Sequence, residues 1–485
     1  MVLLGRRLRA TRPVCKAACF QTSSAPSVNR PRPLVTLAIE TSCDDTAVAV
    51  LEKHDNASPS AANNNPVATL HFNDKITSDN AAYRGIHPLV ALQSHQENLA
   101  TLVARAVQHI PRRRAASETS VSGNGGADSR PPPPRPDFVS VTRGPGMLSN
   151  LNAGLDFAKG LAVAWGVPLV GVHHMQAHAL TPRLVDALAR PAAADEHAGV
   201  EPAFPFLSLL ASGGHTLLVR SAALAQHEVV AATLDVALGD CVDKVARAVV
   251  PASHSSALPP GPTHVSGPAL EAFAFPLGAA SYSSYVPPAT RGAEIDAASS
   301  RALCAQPRGW TFTPPLAQTR SLAFSFTSLT AQADRLVARL GAAMTEEERR
   351  DVAREAQRVA FEHVAGRVVL ALEAADGRRG AKARRGQERA GTGEGQRVET
   401  LVLSGGVAAN GFLRHVLRRV LDVRGFAHVK LCVPPTWLCT DNAAMVAWTG
   451  IEMFEAGWRS GLGIRAAGKW PLGELLDGSF ERMGN

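Results

Sequence analysis

Acidic residues are absent before Glu40, and no apolar run approaches the roughly 18 uncharged residues that a membrane span requires. The longest such run, Leu161 to Val172, is broken by Gly166 and Pro168. The sequence therefore predicts no membrane insertion. No CxxC pair occurs among the seven cysteines: Cys15 and Cys19 precede Glu40, while Cys43, Cys241, Cys304, Cys432 and Cys439 follow it. That spacing excludes a disulfide framework and a zinc site built from four cysteines, and it suits a reducing compartment.

The net charge of +8 invites a nucleic-acid reading, but its distribution argues otherwise. Arg6, Arg7, Arg9, Arg12, Lys16, Arg30 and Arg32 all lie ahead of Glu40, and without them 43 basic residues face 42 acidic ones. The basicity belongs to the leader, so any nucleic-acid contact elsewhere must come from local patches. A stretch rich in Arg, Ser and Thr, poor in acid and lacking a secretory-type apolar core is the pattern of a mitochondrial transit peptide.

The 485 residues, 45% of them hydrophobic, are enough for two or three folding units of roughly 150 residues each. Leu34 to Ile39 reads as a buried strand, Glu40 to Asp45 as a polar turn, and Thr46 to Leu51 as a returning strand. The arrangement recurs downstream: Phe204 to Ala211, then Ser212-Gly213-Gly214-His215, then Thr216 to Val219. Two such hairpins, each opening a long α/β segment, suggest an internal duplication. A third unit runs from Thr400 to Ser404 through Gly405-Gly406 into a helix from about Ala408 to Val420. Residues 352–373 read as an amphipathic helix. The segments 111–136, 251–265 and 376–398 lack apolar periodicity and read as insertions; the basic runs 112–114 and 378–397 are candidate RNA contacts.

Glycine turns after strands can cradle phosphate, because backbone N–H groups point outward and no Cβ blocks approach. Ser212-Gly213-Gly214, Ser404-Gly405-Gly406 and Arg143-Gly144-Pro145-Gly146 are three such turns, none of them a Walker A loop or a GxGxxG motif. His174 and His178 stand four apart, a spacing that puts both imidazoles on one helix face for a shared metal. The first is followed by Met175 where a metallopeptidase HExxH motif carries its catalytic Glu. Asp441, after an apolar strand over Val429 to Val433, is a possible third ligand or an ordinary helix N-cap. Asp44, Asp45 and Asp243 are acids beside the turns, suited to a ribose hydroxyl, a metal-bound water or a solvated helix face.

Taken in order, these motifs resemble a known family. Ala38-Ile39-Glu40-Thr41-Ser42-Cys43-Asp44-Asp45-Thr46, Thr142 to Gly146, Val172 to His178, Leu210 to Thr216, Ser404 to Asn410 and Thr440 to Met445 are similar to the signatures of the tRNA threonylcarbamoyladenosine synthesis family, formerly called O-sialoglycoprotein endopeptidases. With the leader, the chain resembles the mitochondrial branch. The resemblance implies the α/β fold of actin, the heat-shock chaperone ATPases and the sugar kinases (the ASKHA fold): two duplicated lobes with a nucleotide cleft between them. It implies transfer of a threonylcarbamoyl group from threonylcarbamoyl-AMP, supplied by a separate synthase, to N6 of adenosine 37 in mitochondrial tRNAs reading ANN codons. By the same resemblance His174, His178 and Asp441 match ligands of one divalent metal, zinc or iron. Leu210, Ala211, Ser212, Gly213, Gly214, Asp243, Gly267 and Asn410 match adenylate-binding positions, and Asp44 is the candidate proton acceptor. A homodimer in the mitochondrial matrix is implied as well.

Two departures stand out. Gln176 replaces a Glu common in relatives, without loss of a ligand. Phe324 to Ala331 replaces an FSFSGLKT segment, so that its Lys becomes Thr330. The expected organisation is a transit peptide over 1–33, a first lobe over 34–185, a second lobe over 186–440, and a helical segment over 441–485 that packs back on the first lobe. A metal-dependent glycopeptidase and a nucleotide-binding scaffold whose catalysis has lapsed are the alternative functions.

Overall fold

The computed structural model describes residues 33–54, 66–83, 86–112, 133–191, 199–251, 254, 267–296, 303, 309–376, 397–476, 478 and 480–482. The leader and most of the three expected insertions lie outside these residues. In chain order the first part forms β1 (Leu34–Glu40), β2 (Asp45–Lys53), β3 (Ala68–Thr77), α1 (Pro88–Val107), β4 (Phe138–Gly144), α2 (Leu148–Trp165), β5 (Leu169–His173) and α3 (His174–Ala189). Next come β6 (Phe206–Ala211), β7 (Thr216–Ala223), β8 (Gln226–Thr233), α4 (Leu238–Val249), α5 (Gly267–Ala274), α6 (Arg291–Ile295), β9 (Ala323–Phe324), α7 (Thr327–Leu340) and α8 (Glu346–Ala375). The chain continues through β10 (Thr400–Ser404), α9 (Gly411–Val423), β11 (Lys430–Cys432), α10 (Thr436–Cys439), α11 (Ala443–Glu455), β12 (Trp458–Ser460) and β13 (Phe480–Arg482).

Two mixed sheets result, ordered β13-β12-β5-β4-β1-β2-β3 and β11-β10-β6-β7-β8-β9. Each centres on a strand that pairs antiparallel with its successor on one side and parallel with a later strand on the other: β1 with β2 and β4, β6 with β7 and β10.

Strand periodicity sorts the residues of β1 onto two faces. Val35, Leu37 and Ile39 pack with Leu99 and Leu102 of α1 and Leu155 of α2. Ala38 faces the other way, into a core with Leu180 of α3 and Met445 and Trp448 of α11. Small residues are needed there: Gly450 of α11 approaches so closely that an added Cβ would meet Ser140 Oγ at 2.0 Å. The same alternation puts Glu40, two residues after Ala38, on the α3 side of the sheet.

Several expectations are corrected here. The segment after residue 441 is not only helical: α11 packs on β1 and β2, and β12 and β13 then extend the first sheet. α3 runs through residue 185, so a boundary at 185/186 falls inside a helix. The helix expected over 352–373 is α8, opened by a Thr345–Glu348 capping box. It is not amphipathic, because Asp351 to Leu372 are nearly all buried, surrounded by α4, α5, α6, α7, α9 and β9. Its charges are paired internally: Arg358 meets Glu355 at 2.7 Å and Glu362 at 2.9 Å. After Gly405 a short 3-10 turn, Gly406–Ala409, precedes the helix expected from Ala408.

Candidate metal and nucleotide site

His174 is the first residue of α3 and His178 lies one turn on. The preceding His173 is the N-cap, its Nδ1 accepting from Met175 N at 3.1 Å while its Nε2 donates to Trp470 O at 3.0 Å. Burial therefore holds His173 neutral, pushing it down to about 3. Its neighbour behaves oppositely. Burial disfavours charge on His174 too, but Asp441 and Glu40 outweigh it and raise the imidazole to about 9. His174 Nδ1 lies 3.2 Å from Glu40 Oε2 and 3.2 Å from Ser42 Oγ. Its Nε2 lies 3.5 Å from Asp441 Oδ1, and His178 Nε2 lies 3.0 Å from that same oxygen.

Asp441 could have been a helix cap, but Asn442 does that work, accepting from Met445 N at 3.0 Å. The Asp441 carboxylate is thereby left for the histidines, held low against burial by His174, His178 and Lys75. Lys75 of β3 clamps the loop: its Nζ donates to Asp45 Oδ2 at 2.6 Å and to Thr440 Oγ1 and Asp441 O, each at 3.2 Å. Among the described residues, His174, His178 and Asp441 form a cluster whose ligand atoms all lie within 4.8 Å of one another. Two imidazoles and a carboxylate suit zinc or iron, and a carboxylate behind one histidine, as Glu40 stands behind His174, is the support such a ligand usually has. The residues present therefore fit a divalent metal.

Glu40 is the residue that sequence reasoning missed. It is buried, accepts from Ser42 N at 2.6 Å and from the Thr142 hydroxyl, and fixes the turn of which Ser42 is part. A strand ending in an acid directly before a small polar turn was the available signal; its partner lies 134 positions away. Asp44 is half-buried beside this turn, its carboxyl raised by burial and by Asp45. It is Asp45, not Asp44, that Lys75 ties to the Asp441 loop.

Leu210 and Ala211 end β6, and Ser212 to His215 make the turn into β7. Ser212 Oγ accepts from His215 N at 3.0 Å, and a side chain added at Gly213 or Gly214 would meet nothing within 4 Å. Two other segments press on this turn. A Cβ on Gly239 would meet Ser212 O at 2.6 Å, and one on Gly405, whose φ is +91°, would meet Ala211 O at 2.3 Å. Both positions require glycine. Ser404 donates from its Oγ to His178 O at 3.4 Å, linking β10 to the histidine helix.

Asp243 and Gly267 are brought together, with Gly267 N donating to Asp243 Oδ1 at 2.7 Å. On the same short helix as Gly267, Glu271 accepts from Gly411 N at 2.7 Å and Phe412 N at 3.3 Å, next to Asn410. This second missed acid sits where α9 begins. Asn410 is buried and already engaged: its Oδ1 caps Leu413 N at 2.9 Å and its Nδ2 donates to Gln357 at 3.2 Å. Replacing it would cost about 1 kcal/mol as a lost cap.

The fold and site together define an α/β protein with a three-residue cluster suited to a divalent metal, beside an open glycine turn. The chain belongs to the tRNA N6-adenosine threonylcarbamoyltransferase family, a family of transferase enzymes, whose sequence profile matches residues 132–448. It is 34% identical over 454 residues to the Schizosaccharomyces pombe "tRNA N6-adenosine threonylcarbamoyltransferase, mitochondrial", covering 92% of this chain and 88% of the relative. It is 33% identical over 447 residues to a Cereibacter sphaeroides relative of the same family name (91% and 95% covered). A Bartonella henselae relative is 31% identical over 438 residues (90% and 95% covered).

Proposed function

We propose that the protein transfers the threonylcarbamoyl group of threonylcarbamoyl-AMP to N6 of adenosine 37 in mitochondrial tRNAs that read ANN codons. The observation that carries this reading is the convergence of His174, His178 and Asp441, from segments 263 positions apart, beside the open Ser212–Gly214 turn. The two sheets of like strand order support an ASKHA-type pair of lobes with the adenylate between them. Leu210 to Gly214 receive the phosphate and ribose by backbone, Asp243 with Gly267 and the α9 start at Asn410 border the nucleoside. His174, His178 and Asp441 hold the divalent metal, and Glu40 orients His174. When bound, such an ion supplies positive charge against the phosphate and the carbonyl.

The substrate is a mixed anhydride with AMP as a good leaving group, while the adenine amine is a weak nucleophile. Most of the rate then comes from positioning the two. The target base is splayed from its loop to reach the site. Asp44, whose carboxyl is raised above the ordinary range, takes the proton that the amine releases. The protein acts as a homodimer in the mitochondrial matrix, fed by a separate synthase.

The test combines purified protein, threonylcarbamoyl-AMP and unmodified tRNA, with a sialoglycoprotein alongside. Modified tRNA is the expected product. Peptide cleavage, or AMP binding without turnover, would overturn the reading. Fusion of residues 1–40 to a reporter checks location: a cytosolic reporter contradicts the mitochondrial assignment.

A further inference from the structure

Trp437 lies on α10, a four-residue helix, and is 51% exposed. Its neighbours Leu438 and Cys439 are buried and anchor α10 against α3 and the Gly406–Ala409 turn. Three residues beyond it comes Thr440, which receives Lys75, and then Asp441, which meets His178. α10 therefore links the Gly406–Ala409 turn to the loop that supplies Asp441, and Trp437 is its exposed aromatic residue. The buried side chains that hold this short helix down are the two successors of Trp437.

Positive charge stands at the same turn. Arg414 is exposed, and its Nη2 donates to Ala409 O at 2.8 Å, which fixes the guanidinium at the turn that α10 packs against. Glu271, the acid that feels Arg414, is half-buried and already accepts from Gly411 N and Phe412 N. An aromatic face beside a guanidinium group is the arrangement that holds single-stranded nucleic acid, with bases stacked on the ring and phosphates met by arginine.

We propose that Trp437 is a stacking platform for an unpaired base of the tRNA anticodon loop, with Arg414 meeting the backbone phosphate beside it. This rests on the reading of the site as tRNA-modifying. It assigns a nucleic-acid contact to an exposed aromatic on the loop that supplies Asp441, so the base held there is fixed relative to the reacting centre.

The test measures equilibrium binding of an anticodon stem-loop RNA to the full protein, alongside AMP binding, thermal stability and transfer rate. Trp437→Ala should weaken RNA binding about five- to hundred-fold, whereas Trp437→Phe, which keeps a π-face, should stay within a few-fold of wild type. AMP affinity and Tm should be unchanged. Arg414→Ala should reduce the log–log salt slope of RNA binding by about 0.7, the loss of one phosphate contact. Equal RNA affinity for wild type and Trp437→Ala overturns the proposal, as does a Phe variant as weak as the Ala variant. RNA affinity is read without turnover. A wild type that binds RNA through Trp437 yet transfers nothing would sink the functional reading and leave this one standing. An active enzyme indifferent to Trp437→Ala sinks only this one.

Discussion

The β1–β2 turn, Thr41 to Asp44, and the β6–β7 turn, Ser212 to His215, occupy equivalent places in two sheets of like strand order. Their side chains are disposed in opposite ways. In the first, Thr41 donates to Asn150 O at 2.8 Å, Asn150 donates to Cys43 O at 2.7 Å, and Glu40 gathers Ser42, Thr142 and His174. The second closes mostly on itself through Ser212, and its two glycines face open space. One hairpin plan thus yields a rigid support for side chains in one sheet and an accessible backbone in the other. Rigidity is what the proposed metal cluster would need, and openness what the proposed phosphate contact would need.

The largest effect should come from the cluster that the first turn supports. His174→Ala, His178→Ala and Asp441→Ala are each expected to lower metal content well below one per chain and transfer by at least about 100-fold, with small changes in Tm. Stoichiometric metal in all three variants would break the assignment. Glu40→Gln sharpens the comparison. It keeps an acceptor for Ser42 N but removes the negative charge behind His174, and metal affinity should fall about 10- to 100-fold. A lower Tm with unchanged metal affinity would make the first turn a structural device only.

Buried neutral histidines give the second half, like His173 in the first, an acid lability. His227 on β8 lies between Ser221 Oγ and Leu224 O, each at 2.8 Å, and burial pushes it down to about 4. His363 on α8 is pushed down to about 3 by burial, with the charge of Arg367 adding to it. Both are neutral when folded, and the unfolded chain, with histidine near 6.5, binds the extra protons between that value and the folded ones. The contribution of these two histidines to stability should therefore be flat above about pH 6.5 and fall below it, by about 2 kcal/mol per histidine at pH 5. Urea midpoints at pH 7 and 5 measure this, and a His363→Gln variant should show a shallower decline. Identical midpoints at the two pH values would refute it.

The smallest contrast lies within the second turn's surroundings. Gly239→Ala forces a methyl against Ser212 O and should lower stability by about 1–3 kcal/mol, whereas Gly213→Ala has room and should leave Tm unchanged while weakening AMP binding a few-fold. Equal Tm for the two variants would mean that the α4 contact does not set the turn's position.

Much of this was legible in the sequence where the cause is local. Leu34 to Ile39 and Thr46 to Leu51 declare strands by composition, and the His174–His178 spacing declares a shared helix face. What was hidden depends on distant partners. Glu40 reads as part of a polar turn, yet it ends β1 on the face turned toward α3, and only the fold brings His174 to it. Asn410 enters the sequence reading only through the resemblance, and its cap on α9 with Gln357 behind it appears only in the fold. The periodicity of α8 suggested one wet face, but helices on all sides bury that face as well. β12 and β13 are three residues each, too short for any alternation to register.

The docking of α11 bears on the order in which the protein can assemble. Trp448 and Met445, near the end of the chain, complete the core on one face of β1, a strand made among the first residues. During synthesis α3 can cover only part of that face, and Met445 and Trp448 follow β1 by more than four hundred residues. Contacts of such sequence separation form late, because the intervening loop entropy must be overcome before they reward the chain. Asp441, the last member of the histidine–aspartate cluster, arrives with the same segment. Completion of the core and completion of that cluster are therefore one folding event, and a chain truncated before residue 440 would lack both.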